Sequence, residues 1–573
     1  MLSQDSLRLI PASPELEEKV LRTKQHLMEG HGLPPETTVD LFDLSTFTFI
    51  SNRPRRLHTA QPNVAPVTGT RRALVLLVDF SDNSAHQNQQ HYKDMLFSSG
   101  TYTGGSMRDF FREASYGKLT LTGEVSGQSG STMGWYRAPN PYTYYTNNNY
   151  GVGTYPRNTQ KLVEELVDLA APYVNFADYD NDKDGFVDAL FIVHAGSGAE
   201  ATGNKNQIWS HQWEISPKTV DNVKVSSYSI EPEDGRIGVF CHELMHVFGM
   251  PDLYDTDYTS AGTGSWDLMA AGSWNGTLGD TPAHPTAYCK VKLGWLTPTV
   301  LFNAKQAITL KPYATNDGQV YKLPIGAIDS KEYFLLSNRK KAGFDSRLPG
   351  EGLIIEHVDE TKSGNTDETH YLVDIEQADG KKDLNKNANR GDANDPFPYG
   401  NNNAFTESTT PNSNSYSNTK SRVKITDIQR SGDAITAILE VGNAVGWLYN
   451  QRILATYVHY TTQYAWAYID TLGWRRIKDG ASDGVTNILT GLSAAVANNR
   501  LVHVYADGDF IYTMYLLPQA TGQQIGGMME VPTPLSLEHL QVVAGGDMMS
   551  RPPEPQPLEQ LENGGQQRQP ALT

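Results

Sequence analysis

The sequence predicts an α+β chain: a mixed sheet-plus-helix unit, then a β-sandwich-like unit, then a small aromatic-rich β unit. Three observations carry this. Apolar runs of strand length alternate with helix-period segments up to about residue 298. From about 299 to 443 the texture becomes short β-rich segments separated by Gly, Asn and Asp. Residues 444–520 are again strand-like, but dense in Tyr and Trp.

Within the first unit, RRALVLLVDF (71–80) and DALFIVHAG (188–196) read as strands buried on both faces, because their apolar runs do not alternate. Residues 159–174 read as a helix, with Leu162, Leu166 and Leu169 along one stripe. Segments such as QAITLKPY, EYFLLSNR, GLIIEHVD and AITAILEVG supply the sandwich-like unit. Ahead of these lie residues 1–69, a leader-like segment with a helix expected from Pro14 to Glu29. Residues 521–573, rich in Gly, Gln and Pro, are expected to be a disordered tail.

Composition narrows the function. The chain has 573 residues, with 47 Lys plus Arg against 65 Asp plus Glu, a net charge of −18. A chain this acidic repels phosphate backbones, which argues against nucleic acid as its partner. The same acidity suits calcium, which takes several oxygen ligands. No run of ~18 apolar residues occurs, so no membrane-spanning helix is expected. The N-terminus lacks the basic start and continuous apolar stretch of a secretory signal. Cys241 and Cys289 exclude a disulfide-rich scaffold; they either pair with each other or stay as buried thiols.

The segment with the most chemistry is GVFCHELMHVFGMPDLYD (238–255). His242 and His246 are four apart, so on a helix they lie ~40° apart on one face and can share a metal ion. Glu243 sits beside them, placed to accept a proton from a water that the metal activates. Gly249 allows the helix to end and the chain to turn, bringing Asp252 back as a third ligand. The competing reading is a helix with two hydrogen-bonded histidines and a solvent-facing Glu. Sites whose third ligand is a downstream helical Glu are excluded, since the next glutamate after Glu243 is Glu332, in the β-rich region.

HELMHVFGMPD fits the HExxHxxGxxH/D pattern of metzincins, and the surrounding text resembles the M6 metalloproteases, the immune-inhibitor-A-like peptidases. The resemblance extends through LVLLVDFSD (74–82), DGFVDALFIVHAG (184–196), IWSH (208–211), GSWDLMAAGSW (264–274), KVKLGWL (290–296) and PGEGLIIEHVDE (349–360), covering about residues 70–440. It implies a metzincin-like protease domain over 70–298, zinc on His242, His246 and Asp252, Glu243 as general base, and Met269 as the apolar floor of the site. It also implies protein or peptide substrates and an extracellular location. Several metzincins carry a Tyr two residues after that Met, whereas here the position is Ala271. The group that stabilises the tetrahedral intermediate is thus open among Tyr254, Tyr258 and His284.

DYDNDKDGFVD (178–188) sets Asp180, Asp182 and Asp184 at alternate positions before Gly185, with Asp188 beyond, as a calcium loop would. It is not a full EF-hand, because the twelfth position is Phe191 rather than Glu. The bland alternative is a solvated acidic turn. His194, Glu200 and His211 are expected to be structural, and Arg390-Gly391-Asp392 an accidental adhesion tripeptide. The function read from these residues is a zinc endopeptidase; the alternative is an inactive metalloprotease fold serving as a calcium-stabilised surface-binding protein. Residues 1–69 either restrain activity without a cysteine, with Asp40 or Asp43 reaching the metal and Arg53–Arg56 as the processing site, or form a docked N-terminal arm with no inhibitory role.

Overall fold

A computed structural model of the chain describes residues 7–19, 66–127, 133–314, 319–442, 446–458, 464–470, 473–480, 483–506 and 510–517. The chain divides into two compact units, Met1–Gly446 and Trp447–Thr573. The expectations for the 521–573 tail, for Asp40, Asp43 and Arg53–Arg56, and for the helix beyond residue 19 lie outside the described residues.

In the first unit a seven-stranded sheet is built from β1 (Arg8–Leu9), β2 (Gly69–Asp79), β3 (Leu119–Ser126), β4 (Tyr136–Arg137), β5 (Leu190–His194), β6 (His211–Val220) and β7 (Val223–Pro232). Its order is β1-β6-β7-β5-β2-β3, with β4 also on β2. The pairs β2–β3, β2–β5 and β5–β7 are parallel, whereas β6 runs antiparallel to β7. Leu74–Val78 and Leu190–Val193 are buried throughout, as unbroken apolar runs require in a sheet covered on both faces.

Helices cover this sheet: α1 (Gln89–Phe97), α2 (Met107–Ala114), α3 (Thr159–Ala170), α4 (Ile237–Val247) and α5 (Ala287–Lys292). In α3 Leu162 and Leu166 are fully buried while Leu169 is only partly so, because the buried face centres on Val163, Leu166 and Ala170 and Leu169 lies at its edge. Helix α4 is buried from Ile237 to His246 and its sequence is apolar nearly all round, the pattern of a helix enclosed in a core. Gly238 lets it approach the 271–274 turn closely; a Cβ there would meet the Ser273 carbonyl oxygen at 2.0 Å.

Residues 299–442 add two sheets. One contains β8 (Thr299–Val300), β10 (Tyr321–Pro324), β11 (Glu332–Arg339), β12 (Gly352–Asp359) and β13 (Val373–Ile375). The other contains β9 (Ala304–Leu310), β14 (Val423–Ser431) and β15 (Ala434–Val441). The two share an apolar core that includes Leu310, Phe334, Leu353, Ile425 and Leu439. The opposite face of β11 and β12 joins the first core through Tyr333, Leu335 and Val358.

Buried polar groups tie the β-rich segment to the first sheet's helices. Glu356 on β12 accepts from the Ala287 and Tyr288 amides at the start of α5. Arg339 on β11 pairs with Asp345 at 2.8 Å and donates to the Trp266 carbonyl.

The second unit is a closed barrel, β16-β17-β18-β20-β19, from β16 (Gly446–Val458), β17 (Ala465–Ile469), β18 (Gly473–Ile477), β19 (Leu501–Ala506) and β20 (Phe510–Leu516). The strand-rich reading of this stretch missed α6 (Gly484–Ala497), whose GVTNILTGLSAAVA lacks the charged face that usually marks a helix. No described helix is long and apolar enough to cross a membrane.

Because Gly238 meets backbone rather than a flexible side chain, Gly238→Ala must displace α4 or the 271–274 turn. Overpacking of this kind costs about 1–3 kcal/mol. We expect a lower urea-unfolding midpoint for Gly238→Ala than for the parent chain.

Candidate active site

Helix α4 ends in a Schellman motif: the Gly249 amide donates to the His246 carbonyl and the Met250 amide to Met245, with Gly249 at φ +87°. The turn points the Met250 carbonyl back at the helix, where it accepts from His246 Nδ1 at 2.8 Å. His242 Nδ1 meets the Leu268 carbonyl at 2.9 Å. Each carbonyl therefore holds a proton on Nδ1 and leaves the Nε2 lone pair bare.

The bare nitrogens converge. His242 Nε2 and His246 Nε2 lie 3.2 Å apart, and Asp252 Oδ1 lies 3.3 Å from the first and 3.1 Å from the second. Burial lowers the His246 pKa to about 4, outweighing the pull of Asp252, so that imidazole is neutral at pH 7. Burial acts to raise Asp252, but the facing histidines prevail and hold its carboxyl well below the usual range.

Three potential ligand atoms, two imidazole nitrogens and one carboxylate oxygen, thus face one another within hydrogen-bond distance. A tetrahedral ion with ligands at ~2.0–2.1 Å puts its donor atoms ~3.3–3.4 Å apart, close to the observed edges. The donor set fits a zinc ion held by two imidazoles and one carboxylate.

Glu243 is fully buried, and neither carboxylate oxygen has a hydrogen-bond partner among the described residues. Burial, reinforced by Glu231, Asp252 and Glu200, pushes its carboxyl well above the usual range, with Arg8 opposing. A dication in the triangle would pull the other way. Glu231 on β7 is likewise fully buried, beside Ser229. No sequence pattern singles it out.

Met269 is fully buried, and its carbonyl accepts from the Leu253 and Tyr254 amides. The 267–270 turn therefore holds His242 through the Leu268 carbonyl and the Asp252 segment through the next, that of Met269. These backbone acceptors are invisible to a search for ligand side chains.

The other candidates separate. His284 engages Glu113 through Nε2 at 3.1 Å and Lys290 through Nδ1 at 3.1 Å. Tyr254 donates to the Leu9 carbonyl, and the Tyr258 hydroxyl accepts from the Ala12 amide. His211 is held by Trp209 and Thr159, Glu200 by Ser210, and His194 by Ala195. Arg390 pairs with Glu17 at 2.8 Å rather than presenting a free adhesion loop. Cys241 and Cys289 are separate buried thiols.

In the acidic loop, Asp180, Asp182 and Asp188 bring one oxygen each to a common point. Asp184 is not in that trio; its carboxylate accepts from the Phe186 amide two residues on. Asn181 bonds both the amide and the carbonyl of Arg72, anchoring the loop to β2. Burial raises the Asp188 carboxyl, and Asp182 and Asp184 raise it further. A trio not anticipated from sequence, Asp255, Asp257 and Glu368, also clusters, with Asp255 bonded to Thr259 and Ser260.

Known proteins match this part of the chain. Residues 64–297 match the family described as immune inhibitor A peptidase M6, catalytic domain. The pre-pro-metalloprotease PrtV of Vibrio cholerae serotype O1 is 34% identical over 38% of this chain and 29% of its own length. Immune inhibitor A of Bacillus thuringiensis subsp. alesti is 30% identical over 38% of each chain. The chain spans about a third of the length of these relatives. Residues 64–297 are thus similar to the catalytic domain of the M6 family of peptidases.

Proposed function

We propose that this chain is a zinc-dependent endopeptidase of metzincin type, acting on protein or peptide substrates outside the cell. His242, His246 and Asp252 hold the metal, and Glu243 is the general base. The observation that carries the reading is the triangle of 3.1–3.3 Å between His242 Nε2, His246 Nε2 and Asp252 Oδ1. The metalloprotease named among the relatives supports it.

A zinc ion bound there supplies Lewis-acid polarisation of the scissile carbonyl and acidification of the attacking water. The Leu268 and Met250 carbonyls keep both imidazoles in the ligating tautomer. Glu243 takes the proton of the attacking water on its carboxylate and returns it to the leaving amine nitrogen. Its buried position withholds that proton from bulk solvent. The loss-of-activity alternative has nothing in its favour, since all four residues are present and the three ligands converge.

We further propose that Asp180, Asp182 and Asp188 bind calcium in a structural role, fastening the strand that follows to β2 through Asn181.

Glu243→Gln should retain zinc while losing at least 10²–10⁴-fold in peptide hydrolysis. Zinc content and turnover measured on one preparation check this; a zinc-loaded mutant with substantial turnover refutes the base assignment. Asp252→Ala should lose zinc on dialysis against a mild chelator, whereas Asp255→Ala should keep it; equal metal content in the two rejects Asp252 as ligand. For calcium, excess ion at ~100 times Kd would stabilise the parent by about 2.7 kcal/mol. Thermal melts with and without calcium should show that gain shrink in Asp182→Asn, and an undiminished gain places calcium elsewhere.

A further inference from the structure

The barrel of the second unit is built with small residues inside and large rings outside. Successive side chains of a strand point to opposite faces, and β17 reads Ala465-Trp466-Ala467-Tyr468-Ile469. Ala465, Ala467 and Ile469 are buried, whereas Trp466 and Tyr468 are half-buried. Ile477, Val502, Val504 and Ile511 are enclosed too, as is Leu492 of α6. No aromatic side chain of this unit is fully enclosed among the described residues. Filling the core therefore does not account for the Tyr and Trp of this stretch.

The outer rings form one patch. Strand register sets Tyr457 opposite Trp466, Trp466 opposite Arg476, and Tyr468 opposite Trp474. Ring centroids lie 5.8 Å apart for Tyr457 and Trp466, 6.4 Å for Tyr457 and Trp474, and 5.5 Å for Tyr468 and Trp474. Tyr464, immediately before β17 and 38% exposed, adds a fifth ring 6.4 Å from Trp466. The Arg476 guanidinium closes that end, 3.4 Å from the Tyr464 ring centre, and bonds Asp479 at 2.8 Å. The hydroxyls of Tyr457, Tyr464 and Tyr468 and the indole N–H groups of Trp466 and Trp474 have no hydrogen-bond partner among the described residues.

We propose that this face binds a neutral oligosaccharide of β-linked hexoses. Such a sugar offers both halves of the match: flat C–H faces that pack on aromatic rings, and equatorial hydroxyls that meet their polar tips. The strand order β16-β17-β18-β20-β19, with β18 and β20 parallel and α6 between β18 and β19, is that of an OB barrel. Barrels of this kind receive oligonucleotides or oligosaccharides on their second and third strands. Charge decides between the two. Five Lys and Arg are balanced by five Asp between residues 447 and 517, and Arg476 is already paired, so the unit lacks the basic excess that a phosphate backbone needs. The proposal stands apart from the peptidase reading, since all these residues lie in the second unit.

The test is calorimetric titration of the full chain with cellohexaose, mannohexaose and hexa-N-acetylchitohexaose, and with oligo(dT) as the polyanion. The parent should bind at least one of the three sugars, and more tightly than oligo(dT). Trp466→Ala and Trp474→Ala should each weaken sugar binding about tenfold, as loss of a buried aromatic anchor does. Trp466→Phe, which keeps a ring, should lose less than Trp466→Ala, and Tyr464→Ala should weaken binding measurably. Circular dichroism checks that each variant is folded. No binding to any of the three sugars overturns the proposal, and so does tighter binding of oligo(dT). Sugar binding unchanged in the folded Trp variants also overturns it. If both alanine variants at Trp466 and Trp474 fail to fold, Tyr464→Ala and Trp466→Phe decide, and unchanged affinity in both rejects the face. A parent that sediments as a dimer, takes no sugar and is split by Trp466→Ala has a self-association surface there instead, and the proposal falls.

Discussion

Two Nδ1–H···O=C hydrogen bonds hold the candidate metal centre together. An imidazole can present either nitrogen, and a neutral ring has only one lone pair to offer. The Leu268 and Met250 carbonyls spend the Nδ1 positions, so both Nε2 atoms turn inward to Asp252. Each carbonyl is delivered by local chemistry. Met250 is placed by the left-handed Gly249 that closes α4, and Leu268 by a turn whose next carbonyl secures Leu253 and Tyr254. The residues flanking His242, His246 and Asp252 thus set how these side chains face one another.

That turn is in turn held from behind by the β-rich segment. Asp267 accepts from Thr263 and Thr286, and Trp266 is fixed through its ring nitrogen by Asp395 and through its carbonyl by Arg339. Arg339 and Asp345 are both fully enclosed. Breaking such a pair strands an uncompensated charge, at a cost of about 3–5 kcal/mol. Residues 299–442 therefore act on the site by keeping the 264–274 segment rigid, although none of them supplies a ligand to the triangle. The 180–188 loop is fastened to β2 by Asn181.

Much of the site was legible because its signal is local. His242, Glu243, His246, Gly249 and Asp252 lie within eleven residues, and helical periodicity plus one glycine is enough to see them meet. The parallel strands were legible because a strand buried on both faces cannot alternate. What escaped was non-local or backbone-borne. Arg8 lies 238 residues from the histidine it faces, and no periodicity links them. The acceptors at Leu268 and Met250 are carbonyls, which every residue carries. Helix α6 escaped because β-branched and apolar residues in GVTNILTGLSAAVA read equally well as strand. Asp184 fits the alternate spacing of its loop, yet it bonds to the Phe186 amide, a choice made by local turn geometry.

The most direct measurement is zinc-edge X-ray absorption on the purified full chain, compared with His242→Ala. The expected first shell contains only nitrogen and oxygen at ~2.0–2.1 Å, with outer-shell scattering from two imidazoles that falls to one or vanishes with the metal in the variant. A sulfur shell at ~2.3 Å, or a folded chain that takes up no zinc, would contradict the assignment of His242, His246 and Asp252 as a metal centre.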